Sequence, residues 1–141
     1  MLIGCGNEKK RNDASNLVVF PYQPLDRYAE VLASGDVLLG ILNADAGVYS
    51  VPSKILSYLC ARRPILFSMP EENQAARMIT NNMAGLGANP EDQEGFIKGA
   101  QRLLEDPALC QELARNGREY AEQHFDIHRI GTAFEQLIQE L

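Results

Sequence analysis

The chain has 141 residues, 45% of them hydrophobic and 23% charged, and its 13 basic against 19 acidic side chains leave a net charge of −6. A chain of this length buries roughly 68% of the surface its unfolded form exposes, enough for one self-sufficient core, and the composition excludes disordered, fibrous and collagen-like classes. The acidic balance argues against a broad attractive field for nucleic acid or anionic lipid, so any phosphate must be held locally.

No run reaches the roughly 18 consecutive apolar residues of a membrane span, and residues 1–10 lack the order of charge and apolar run that marks a signal peptide. A soluble cytoplasmic protein forming one domain over 1–141 is the expectation. Cys5, Cys60 and Cys110 share no CxxC or CxxH spacing, which argues for reduced thiols over a disulfide scaffold or a structural zinc site.

In chain order, a short apolar run ends in Gly4-Cys5-Gly6, a polar stretch covers 7–16, and Leu17-Val18-Val19-Phe20 reads as the next strand. Pro24 opens a helical stripe of Leu25, Tyr28, Ala29, Val31 and Leu32 that stops before Gly35-Asp36. Residues 37–42 are apolar on both faces, as expected of a strand in the middle of a parallel sheet. A small, polar loop over 43–53 leads into a helix predicted from Pro52 to Ala61, since proline needs no free N–H in a first turn. A buried strand at 64–67, a helix at 71–81 and a short edge strand at 86–88 follow. Beyond Pro90 the pattern is helical only, over 94–104, 107–124 and 127–141, with breaks at Asp106-Pro107 and at Phe125-Asp126.

Alternating strands and helices predict a doubly wound, Rossmann-like parallel α/β sheet with helices on both faces and a helical tail, whose ligands sit at the strand carboxyl ends. That directs attention to Gly4-Cys5-Gly6, to residues 21–24 and to the 43–53 loop. In the last of these, Gly47-Val48-Tyr49-Ser50-Val51-Pro52-Ser53-Lys54 runs a glycine loop into a helix start, offering amides, two hydroxyls and the Lys54 ammonium to an anion. An ordinary loop with Ser50 or Ser53 capping the helix explains the same residues. The GxxxxGK[ST] spacing of an ATPase is absent.

The remaining candidates read as structural. Two glycines around Cys5 describe a tight turn as well as a close backbone approach to ligand, and no histidine can be placed beside Cys5 to activate its thiol. His124 and His128 fall on either side of a helix break, which leaves them as helix-end residues in place of a metal pair. Arg62-Arg63 reads as favourable charge at a helix carboxyl end, and Glu71-Glu72 as acidic placement in a first turn.

Val37-Leu38-Leu39, then Val51-Pro52-Ser53-Lys54-Ile55-Leu56-Ser57-Tyr58-Leu59, then Arg63-Pro64-Ile65-Leu66 resemble the donor-binding half of family 4 (group 1) glycosyltransferases of the two-Rossmann-domain (GT-B) type. The likeness extends to the opening strand ending in Gly-x-Gly, to residues 22–36, and to Asn116-Gly117-Arg118 through His124-Phe125. It implies retaining transfer of a sugar from a nucleotide-diphosphate donor, in surface polysaccharide or glycan assembly, with no cofactor and no protein-bound metal. By position it places Gly47, Val48, Tyr49 and Ser50 beside sugar and diphosphate, and Ser53 and Lys54 at phosphate. Gly4 and Gly6 then border the cleft, and Tyr22 lies near the base.

The chain departs from that pattern in three ways. Where relatives carry the second glutamate of an E-x7-E motif this sequence has Ser57, which can donate to a ribose hydroxyl but offers no carboxylate. Arg62 stands where a glycine usually ends the helix. The resemblance also implies partners outside these residues: an N-terminal acceptor domain, able to bring the whole protein to a membrane surface, and a preceding strand that is central in the sheet, between 1–4 and 37–42. A truncated donor domain, inactive alone, is the resulting expectation, with 1–4 and 37–41 closing directly on each other across the gap. The alternative is a non-catalytic α/β nucleotide-binding or interaction module.

Overall fold

The computed structural model of the chain describes residues 2–5, 16–44 and 50–140. They fall into two compact units, 1–35 and 36–141. In the first, β1 (Leu2–Cys5) and β2 (Leu17–Phe20) pair in parallel, with Leu2 opposite Leu17 and Cys5 opposite Phe20. Pro24, extended at φ −56°, then starts a 3-10 turn (Leu25–Arg27) whose closing bond runs from the Arg27 amide to the Pro24 carbonyl at 3.0 Å. That turn continues into the six-residue α1 (Tyr28–Ala33), which buries none of its side chains. Ser34 ends it by donating its hydroxyl to the Val31 carbonyl at 2.7 Å.

The second unit is a three-stranded parallel sheet, β3 (Leu38–Ile41), β4 (Ile65–Ser68) and β5 (Gly85–Ala88), in that order. Helices α2 (Lys54–Cys60), α3 (Gln74–Asn81), α4 (Gln93–Glu105), α5 (Pro107–His124) and α6 (Ile127–Gln139) complete it. The two-residue period of β4 divides the core. Ile65 and Phe67 join Ile55, Leu59, Ala75, Ala76 and Ile79 in one buried cluster, while Leu66 points to the other face with Leu103 and Leu113. The chain is therefore α/β, with a parallel sheet flanked by helices in its second unit.

Three expectations about the sheet change. The strand predicted to be central, β3, is an edge of its sheet, and β4 is the central one, with Ile65, Leu66 and Phe67 all buried. The reason lies in β3 itself, where Ile41 is 68% exposed although Leu38 and Gly40 are buried, so its apolar pattern marks partial cover. Direct closure of 1–4 onto 37–41 does not occur among the described residues: β1 pairs only with β2, and β3 only with β4. Accordingly the five strands form two sheets and not one.

Helix boundaries also shift for local reasons. Residues 71–73 form a turn and not the first turn of α3, which Asn73 caps by accepting the Ala75 amide at 2.8 Å. Glu71 and Glu72 consequently lie outside the helix, exposed. The breaks near Asp106 and Asp126 fall as expected, because each aspartate accepts backbone amides of the helix it precedes, Leu109 at 2.9 Å and His128 at 2.8 Å respectively.

Candidate functional site

Parallel pairing fixes where a site can be. The register Leu38–Ile65–Gly85 through Ile41–Ser68–Ala88 brings the carboxyl ends of β3, β4 and β5 to one edge, so the loops over 42–53, 69–73 and 89–92 all leave from there. Gly40 explains how closely α2 and the 69–73 loop lie on β3: a Cβ there would meet Ile55 Cδ1 at 2.7 Å and Met69 Cε at 2.9 Å.

Of the sequence candidates, Gly6, Gly47, Val48 and Tyr49 lie outside the described residues. Gly4 sits in β1 opposite Val19, and Tyr22, 71% exposed, follows the end of β2, so both occupy the carboxyl edge of the first unit's strand pair. In the second unit, Ser50, Ser53, Lys54 and Ser57 are brought together at the start of α2. Ser50, Ser53 and Lys54 are exposed and Ser57 is half-buried.

The geometry there differs from the expected helix start. The α-helix begins at Lys54 and spans seven residues, with Pro52 outside it. The amides of Ile55 and Leu56 turn back onto the carbonyls of Pro52 and Ser53 at 3.0 and 3.2 Å, which occupies two of the donors offered to an anion. Ser53 has helical backbone angles and makes no side-chain cap bond, so its hydroxyl is not spent on the helix. Lys54 forms no ion pair among the described residues. What remains for an anion is a cation and a hydroxyl on consecutive residues, at the carboxyl edge of the sheet.

Asn73 holds this loop in place, and sequence reasoning missed it. Its side chain is fully buried, and while Oδ1 caps α3, Nδ2 donates to the Ser50 carbonyl at 2.8 Å. Ser50 in the 43–53 loop is thus tied to the start of α3. The only signal for it was an asparagine three residues beyond Pro70.

A shallow cavity of about 290 Å³ opens on the same edge, lined by Ile41, Ser68, Pro90, Asp92, Gln93, Phe96 and Ile97. Asp92 there caps α4, accepting the Gly95 amide at 2.8 Å, which commits its carboxylate to the helix.

The other polar candidates resolve into structural roles. Arg62 directly follows the C-cap of α2, as expected of a charge at a helix carboxyl end, with φ +53° in the left-handed region. Arg118 of α5 adds a second charge there, donating from Nη1 to the Cys60 carbonyl at 2.7 Å. His124 stacks on Tyr120 with ring centroids 4.1 Å apart, and its Nδ1 meets the Tyr120 carbonyl at 2.9 Å, whereas His128 belongs to the next helix. Among the described residues no group of three or more His, Cys, Asp and Glu side chains could hold a metal ion, and no helix is long and apolar enough to cross a membrane. Cys60 and Cys110 are free thiols. No protein-family model matches the chain.

Proposed function

We propose that this chain is the donor-binding domain of a retaining glycosyltransferase of the two-Rossmann-domain type, holding a nucleotide-diphosphate sugar for transfer in surface glycan assembly, on the cytoplasmic side. The observation that carries this reading is the parallel register of β3, β4 and β5. It puts Ser50, Ser53 and Lys54 at the carboxyl edge of an α/β sheet, where such sheets take their ligands. The resemblance of Val51–Leu59 and Arg63–Leu66 to the family's donor half supplies the substrate class.

In this reading Lys54 and the Ser53 hydroxyl stabilise the charge that gathers on the departing diphosphate, which fixed donors do best because they need no reorganisation. Ser57, half-buried in α2, faces a ribose hydroxyl as donor. An upstream acceptor half completes the enzyme, and the open edge of β3 receives the strand that precedes β1 in the family. A non-catalytic nucleotide-binding module is the second reading, favoured by the hydroxyl at Ser57 where relatives use a carboxylate.

Titration calorimetry with UDP and GDP tests the site. Either nucleotide binds weakly, and Lys54→Ala lowers the affinity about tenfold, the loss of one charge-assisted contact in a partly dry site. Equal affinity for wild type and Lys54→Ala removes Lys54 from the site, and no binding by either protein removes the donor-domain reading.

A further inference from the structure

Four of the described helices begin on a capping side chain, and three of these use an exposed aspartate: Asp92 for α4, Asp106 for α5 and Asp126 for α6. The fourth, α3, uses Asn73, which among the described residues is the one polar side chain that is fully buried. A cap asks only for an acceptor. Aspartate supplies one as well as asparagine does, with a charge that suits the helix dipole, and serine supplies one with less polar surface to bury. What asparagine adds is the N–H of its amide, and that group is in use. While Oδ1 accepts the Ala75 amide at 2.8 Å, Nδ2 donates to the Ser50 carbonyl, 23 residues earlier, at 2.8 Å. Burial makes this second bond matter, because a polar group inside a protein is costly unless it is paired.

The far end of that bond is the segment that carries Ser53 and Lys54. Its other end is anchored as well: Ile55 and Leu59 hold α2 in the core, and the Ile55 and Leu56 amides close onto the Pro52 and Ser53 carbonyls. Between the two anchors stand only Val51, Pro52 and Ser53, and the ring of Pro52 fixes one of their φ angles. Without the Asn73 bond the segment is held from the helix side alone.

We propose that Asn73 is the positioning residue of the diphosphate site. It touches no ligand, and it holds the Ser50 carbonyl so that the Ser53 hydroxyl and the Lys54 ammonium stand in place before the anion arrives. This rests on the reading of Ser53 and Lys54 as that site. A segment already ordered by the fold binds more tightly than a loose one, because its freedom is lost in folding and not in binding.

Titration calorimetry with UDP and with GDP on wild type, Asn73→Ser, Lys54→Ala and the double variant tests this, each measured well below its own unfolding midpoint. Asn73→Ser keeps the cap and loses the donor, so it binds about fivefold more weakly, the worth of one hydrogen bond. Lys54→Ala, about tenfold weaker in the wild-type background, costs clearly less once Asn73 is serine, because the ammonium is no longer held in place. A residue that served stability alone would leave the folded protein's affinity unchanged. Asn73→Asp gives a second readout. It keeps the capping oxygen but sets another oxygen against the Ser50 carbonyl, and it binds weakly at neutral pH. Burial raises the pKa of such a carboxyl, so acidification returns an O–H that donates, and affinity relative to wild type at the same pH recovers. Asn73→Ser binding as tightly as wild type, full additivity with Lys54→Ala, or an Asn73→Asp whose relative affinity ignores pH overturns the positioning role and leaves the reading of the site standing. A wild type that binds neither nucleotide overturns that reading and this role with it.

Discussion

Among the described residues, the non-glycine residues Arg62 and Met83 have left-handed backbones at φ +53° and +46°. Each follows a helix, α2 and α3 respectively, and Met83 completes a double closure in which the Ala84 amide reaches the Ile79 carbonyl at 2.9 Å and the Met83 amide reaches Thr80 at 3.1 Å. This is the place where glycine is favoured, because a side chain costs about 1 kcal/mol or more in that conformation. Met83→Gly should therefore raise stability by about 1 kcal/mol, read as a midpoint about 4 °C higher in thermal unfolding. An unchanged or lower midpoint would show that the exposed methionine contributes contacts worth as much as the strain. Cys110 makes a second residue-scale case. Burial, then the charges of Asp106 and Asp36, push its thiol pKa up, and its Sγ donates to the Leu103 carbonyl at 3.0 Å. A raised folded pKa favours the protonated thiol, so its stabilisation is complete below the ordinary thiol pKa and is lost as pH rises through the higher, folded value. Iodoacetamide at mildly alkaline pH should modify exposed Cys60 well before Cys110, with mass spectrometry of tryptic peptides as the readout.

At the scale of elements, the fold owes much to single side chains that join neighbours. Asn73 caps α3 with one atom and holds the Ser50 carbonyl with another, so Asn73→Ala removes a cap and strands a carbonyl, at a cost of about 2 kcal/mol. Asn73→Ser keeps a good cap and gives up only the link to the loop. Hydrogen exchange should then quicken around Ser50 in both variants but at the start of α3 only in Asn73→Ala, and equal protection in all three proteins would mean the link carries no stability. The order of elements was legible because period and punctuation agreed: Asp106-Pro107 and Phe125-Asp126 both mark true helix ends. The paired glutamates before α3 misled because their acidity suited a first turn, whereas the capping asparagine decides where the helix begins. The end of α2 was legible at Ala61, but what satisfies it was not. Its last carbonyl is met by Arg118, 58 residues later, a partner that local sequence cannot name. For the candidate site, the glycine-to-lysine stretch singled out the loop, but the backbone turn that occupies the Ile55 and Leu56 amides depends on how Pro52 and Ser53 are folded.

For the whole molecule the unequal division of the chain matters most. Among the described residues the buried side chains all lie in 36–141, where β4 is covered on both faces, whereas α1 buries none and β2 is only partly covered. The described elements of the first unit, a two-stranded sheet and one short helix, do not stabilise themselves in water. The segment 36–141 should therefore fold alone, with cooperative thermal unfolding and dispersed amide resonances, while 1–35 prepared by itself should show neither. A disordered 36–141 would mean that the first unit supplies stability its burial does not reveal. The place of β3 in the sheet was the element least legible in the sequence, since an apolar run on both faces describes a central strand and a half-covered edge equally well.

That edge has a consequence for handling the protein. Residues 38–41 contain no lysine, no proline and no bulge, the devices by which natural sheets keep their borders from recruiting other chains. Paired on one side only among the described residues, β3 can act as a growth front, and loss of protein from solution should show a lag and a critical concentration, as templated polymerisation does, in place of the smooth decline of random clumping.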